Sequence, residues 1–157
     1  MKKNLIIMVA LIVIILFFSV GQAQNSNNII NEDFIIKTIR TILLNRMDIM
    51  NSCIYEGLDL DIVKEKLIKI EDGTLVKDDL EYLTYLKENS TDFEFVNDLR
   101  ILNISLIDND IKKISFIAEI EWDIKFYEND LTEVVKYKIE LLKSDNKFLL
   151  TKFKPLS

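Results

Sequence analysis

The residues of this chain that could do chemistry are few, and a missing type narrows them first. The 157 residues include no histidine and a single cysteine. A Ser-His-Asp or Cys-His nucleophile cannot be assembled, and neither can an imidazole-ligated metal site. Cys53 stands alone, which excludes an intramolecular disulfide; its apolar helix position makes it a small core residue. Beyond residue 23 the only glycines are Gly57 and Gly73, so no glycine-rich phosphate loop exists. Asp108-Asn109-Asp110 has the start of a calcium loop without its glycine or distal glutamate, and reads as a turn. Glu119, Glu121 and Asp123 form a row of carboxylates. Acid–base work needs such groups buried and close together, whereas alternation turns these away from the core, onto a solvated, salt-bridged face.

What remains is one misplaced cation. Asn31-Glu32-Asp33 starts a helix, with an Asn cap and acids in the first turn, that runs to about Tyr55 and stops at Gly57. At 100° per residue Ile35, Ile36, Ile39, Ile42, Leu43, Met50, Cys53 and Ile54 share one face. Arg46 falls near the middle of that face. Its long stem can bend the charge out to solvent. Buried on the concave side of a sheet, it demands a carboxylate or an anionic ligand as partner. Trp122 and Tyr137 would then be an amphipathic wall beside it, and Arg46, Trp122 and Tyr137 are the candidate ligand-binding residues. No catalytic residue, metal ligand or cofactor is expected.

The elements that must hold these residues follow from period and punctuation. A second helix capped by Asp59 or Asp61 carries Val63, Leu67 and Ile70 and ends at Asp72-Gly73. A third, from about Thr74 to Glu88, carries Val76, Leu80, Leu83 and Leu86, and Asn89-Ser90-Thr91 closes it. Strands follow. Ile114, Phe116, Ala118, Ile120, Trp122, Ile124 and Phe126 alternate with largely polar residues, a half-buried strand. Leu131, Val135, Tyr137, Ile139 and Leu141 repeat the pattern after a turn at Asn129-Asp130. A two-residue loop there sets Trp122 against Tyr137 and Ile124 against Val135, with Glu121 facing Lys138 and Asp123 facing Lys136. Leu99 to Ile107 is a strand before this hairpin, and Phe148 to Lys154 one after it, ended by Pro155.

Ahead of the domain, Lys2 and Lys3 precede an apolar run from Leu5 to Val20. Residues 1–23 read as a signal peptide, cleaved after Ala23, or as an uncleaved anchor; residues 24–30 are a polar tether. Either way residues 31–157, a single α+β domain, are expected outside the cytoplasm, secreted or on the cell membrane with the N-terminus inside. The leader's two lysines leave 18 of 20 basic residues against 26 acids. That excess of acid argues against nucleic acid and against docking on anionic lipid. A 49% hydrophobic composition supplies an ample core.

The long first helix Asn31–Tyr55 and the strands of Leu99–Lys154, with the closing Lys136-Tyr137-Lys138-Ile139-Glu140-Leu141-Leu142 and Phe148-Leu149-Leu150, resemble the nuclear transport factor two-like fold, a relative of the cystatin-like folds. The resemblance implies three helices packed on a curved four-stranded antiparallel meander, often enclosing a pocket. It leaves function open, since the fold serves isomerases, hydrolases, ligand binders and membrane-anchored assembly domains. The expected role is a non-catalytic extracytoplasmic module acting through contacts with a protein partner, attached to the membrane through residues 5–21 if these are retained. The alternatives are a binder of a small, mostly apolar ligand in the concave side of the sheet, and an enzyme using an acid and a tyrosine.

Overall fold

The computed structural model describes residues 31–89, 95–125, 130–145 and 147–156. The expected export segment and tether lie outside them. The architecture below is that of the unit Ile35–Ser157, with the start of its first helix. Among the described residues no helix is long and apolar enough to cross a membrane.

The element order is α1 (Glu32–Tyr55), α2 (Leu60–Leu67), α3 (Gly73–Glu88), β1 (Phe95–Asn109), β2 (Lys113–Lys125), β3 (Asp130–Ser144) and β4 (Lys147–Pro155). It is an α+β fold whose strands form one antiparallel meander in the order β1-β2-β3-β4. Each helix begins where a short polar side chain can take its free N–H groups. Asn31 Oδ1 accepts from Asp33 N at 3.0 Å, and Asp59 Oδ1 from Asp61 N at 2.8 Å. Asp72 accepts from both Thr74 N and Leu75 N. Asp72-Gly73 was expected to end the second helix and instead opens the third: α2 stops at Leu67 and the chain turns through Ile68–Ile70 before the Asp72 cap. Gly57 follows α1 with φ +71°, a conformation that costs a residue with a Cβ atom.

The core has two parts. Cys53, Val63, Leu67, Val76 and Leu83 form a buried cluster among the three helices. On the sheet, Ile114, Phe116, Ala118, Ile120, Trp122 and Ile124 are all buried, as the alternation of β2 requires. Asn51 Nδ2 donates to the Val96 carbonyl at 2.9 Å and Arg40 Nε to the Leu99 carbonyl at 3.3 Å, tying α1 to β1. The pairing of β1 with β2 is interrupted between Val96 and Asp98, Ile101 and Asn103, and Leu106 and Asp108. Such bulges bend and twist a strand and blunt an exposed sheet edge.

The central hairpin forms, but in another register. Trp122 faces Glu133, Ile120 faces Val135 and Ala118 faces Tyr137, and the pair Lys125–Asp130 closes it. Asp130, expected in the turn, is thus paired in β3, and Asn129 lies outside the described residues. Every partner moves by four residues. An even slip keeps each side chain on its own face, so the apolar pattern is satisfied equally well in both registers. The outer-face charges also find other partners. Glu121 pairs with Arg100 on β1 at 2.5 Å, and Asp123 accepts from Asn97 Nδ2 at 2.7 Å. Lys138, with Lys113 and Lys152, surrounds Glu140.

Candidate functional site

A partly open cavity of about 530 Å³ lies between the helices and the inner face of the sheet. Its lining comes from α1, α3 and all four strands, and includes Arg46, Trp122 and Tyr137 together. The volume falls within the range of about 300–1,000 Å³ usual for small-molecule sites. Most of the wall is apolar, with Leu43, Met47, Met50 and Ile54 from α1 facing Val96 and Ile124.

The three candidate residues meet by side-chain reach, not by direct strand pairing. Trp122 and Tyr137 lie edge to face with ring centroids 5.9 Å apart. Phe153, which sequence reasoning had placed only in a strand, completes the group. It stacks on Tyr137 at 4.3 Å and meets Trp122 edge-on at 6.2 Å. The Arg46 guanidinium carbon stands 5.4 Å from the centre of the Phe153 ring, within reach of a cation–π attraction. Burial pushes the Tyr137 hydroxyl above its usual pKa, opposed by the adjacent Trp122 indole and reinforced by Glu133. Tyr137 is therefore protonated at neutral pH, a hydrogen-bond donor rather than a base.

Arg46 is not free. Its Nε and Nη2 donate to the two oxygens of Asp79 at 2.8 and 2.5 Å, the bidentate geometry that guanidinium and carboxylate favour. Glu71 Oε1 also lies 2.7 Å from Nε, but that N–H is taken by Asp79. Glu71 is 2% exposed, and neither of its oxygens accepts a hydrogen bond among the described residues. Burial first, and then the charge of Asp79, pushes its pKa up to about 8 against the pull of Arg46. At pH 7 Glu71 thus carries a proton, which it can share with Asp79. The carboxylate that a buried Arg46 demanded comes from the protein itself.

Sequence reasoning missed both acids. Asp79 had a signal: it lies three residues after Val76 and four before Leu83, on the apolar face of α3, as Arg46 does on α1. Glu71 had none, because it sits between two helices. Its backbone is held by a parallel bridge to Leu150 in β4, a contact of high sequence separation. Neither Asp79 nor Glu71 lines the cavity, whereas Arg46, which pairs with both, does. Among the other acids, Glu133 reaches the cavity wall and is exposed. Cys53 is wholly buried in the helical cluster. No group of three or more side chains placed to hold a metal ion occurs among the described residues.

Among solved structures, the chain is similar to the intermembrane space region of the chloroplast protein ARC6, at 16% identity over 78% of this chain and 96% of that one, with a TM-score of 0.45. It is also similar to a de novo designed β-sheet protein solved by NMR, at 10% identity over 79% and 88%, with a TM-score of 0.33. Neither similarity is close enough to carry an argument. No protein-family model matches the chain, and no curated protein matches it.

Proposed function

We propose that the domain is a non-catalytic extracytoplasmic module that binds a small, mostly apolar ligand in the cavity beneath α1. The observation that carries this reading is the cavity itself: about 530 Å³, apolar over most of its wall, with Arg46, Trp122 and Tyr137 converging in it. A few placed polar groups in an apolar wall are the usual composition of a ligand site. The extracytoplasmic placement rests on the basic and apolar start of the chain. The order of three helices and a four-stranded meander supports kinship with nuclear transport factor two-like domains. An enzymatic role lacks support, because the acid with the most altered pKa, Glu71, is outside the cavity wall.

A neutral fluorescent probe tests the reading. N-phenyl-1-naphthylamine should brighten on binding one site per chain. Leu86→Trp, which adds bulk at a half-buried wall position, should abolish that response without changing the circular dichroism spectrum. Brightening that survives Leu86→Trp, or none in either protein, would refute a ligand-sized cavity. The protein-contact role has separate support in Leu102, Leu106, Ile107 and Ile111, large apolar side chains exposed on and beside the edge strand β1.

A further inference from the structure

We infer that the cavity selects an uncharged ligand, an apolar body ending in one hydrogen-bond acceptor such as a ketone, ester or hydroxyl oxygen, and discriminates against carboxylates of the same length. The inference rests on the ligand-binding reading above and adds the chemical class. An arginine in an apolar wall ordinarily suggests an anion site. Here the pairing removes that capacity.

The positive charge of Arg46 is met in full by Asp79, through two hydrogen bonds within the protein, and Glu71 lies against the same guanidinium. With Glu71 neutral, the cluster has no net charge; with Glu71 ionised, it is negative. Glu133, at the exposed end of the wall, adds a further negative charge. Among the described residues no other basic side chain lines the cavity. A carboxylate entering this space would lose its hydration without gaining a counter-charge, which disfavours a buried ion.

Donors are nevertheless present. Among the described residues Arg46 Nη1 has no acceptor, since Nε and Nη2 make the guanidinium contacts with Asp79 and Glu71. The Tyr137 hydroxyl stays protonated and lines the same wall. A neutral oxygen can accept from either at a small desolvation cost. A cationic ligand would find acids only at the Glu133 end and would leave both donors unmet.

Isothermal titration of the full-length chain with three ten-carbon probes tests this: decan-2-one, decanoate and decylammonium. Decan-2-one should bind once per chain, with each charged probe at least about tenfold weaker, the factor that 1.4 kcal/mol supplies. Tyr137→Phe should weaken decan-2-one by roughly two- to tenfold, the net worth of one hydrogen bond. Asp79→Asn, which frees the guanidinium, should shift preference toward decanoate. Glu133→Gln, at an exposed position that does not threaten folding, should do so in smaller measure. Decanoate or decylammonium binding as tightly as the ketone would overturn the inference and leave the ligand-binding reading intact. Binding of none of the three would remove that reading, and the inference with it.

Discussion

At the scale of single residues, the structure turns on Arg46 and its two acids. A buried ion pair contributes little over an apolar replacement, but removing one partner leaves a charge uncompensated. Asp79→Ala should therefore cost about 3–5 kcal/mol in urea unfolding, far more than an exposed acid such as Glu81 on the same helix. Glu71 makes stability depend on pH with a definite sign. Its carboxyl titrates near 4.5 when free and near 8 in the folded chain. Between those values the folded protein keeps a proton that the unfolded chain has lost. The contribution of Glu71 is thus complete below about pH 4.5, declines as pH rises, and is gone above about pH 8. Unfolding midpoints measured at pH 5, 6.5 and 8 should fall in that order, and Glu71→Gln should flatten the series. Glu140 acts in the opposite sense in acid: its hydrogen bond to Lys113 holds its pKa down, so its contribution is lost as pH falls below the usual carboxylate range. The misplaced charge of Arg46 was legible because helical period is a local property. Glu71 was not, because no local pattern reports a backbone bridge to a strand 79 residues later.

At the scale of elements, caps and alternation marked most of the chain. Asn31, Asp59 and Asp72 all cap helices, and the last was read as an ending because Asp-Gly is also a turn pair. Asp72→Ala should cost about 1 kcal/mol, the usual worth of an N-cap, measured as a shift in the urea midpoint. The hairpin teaches more. Alternation of apolar and polar side chains fixed which face of β2 and β3 is buried, since a slip of one residue would invert both faces. It could not separate registers that differ by an even number. Complementary charges did not resolve the matter either, because a strand with two neighbours can satisfy its acids from either side. Glu121 takes Arg100 from β1. A thiol crosslink test follows from the register. Glu119→Cys with Lys136→Cys, which face each other, should join through a short bifunctional reagent. Glu121→Cys with Lys138→Cys should join far less.

At the scale of the whole domain, the helices and the sheet enclose a space that no single element announces. Arg46, Trp122 and Tyr137 come from three elements, and their convergence needed only the correct faces, which parity preserved even in the wrong register. The place of Phe153 in the cavity wall depends on the register in which β4 pairs with β3, and no short-range pattern carries that. The chain's single tryptophan, Trp122, is 9% exposed and lines the cavity. Its emission should be blue-shifted in the folded protein and should change when the cavity fills. The central claim, that this cavity is a ligand site, is most directly tested by a native mass spectrum of the full-length chain, purified from its own cells without detergent. A retained molecule of defined mass, released by Leu86→Trp and uncharged once isolated, is the result expected from a neutral-ligand site. A chain of bare mass whose Trp122 emission is also unchanged by added decan-2-one would contradict it.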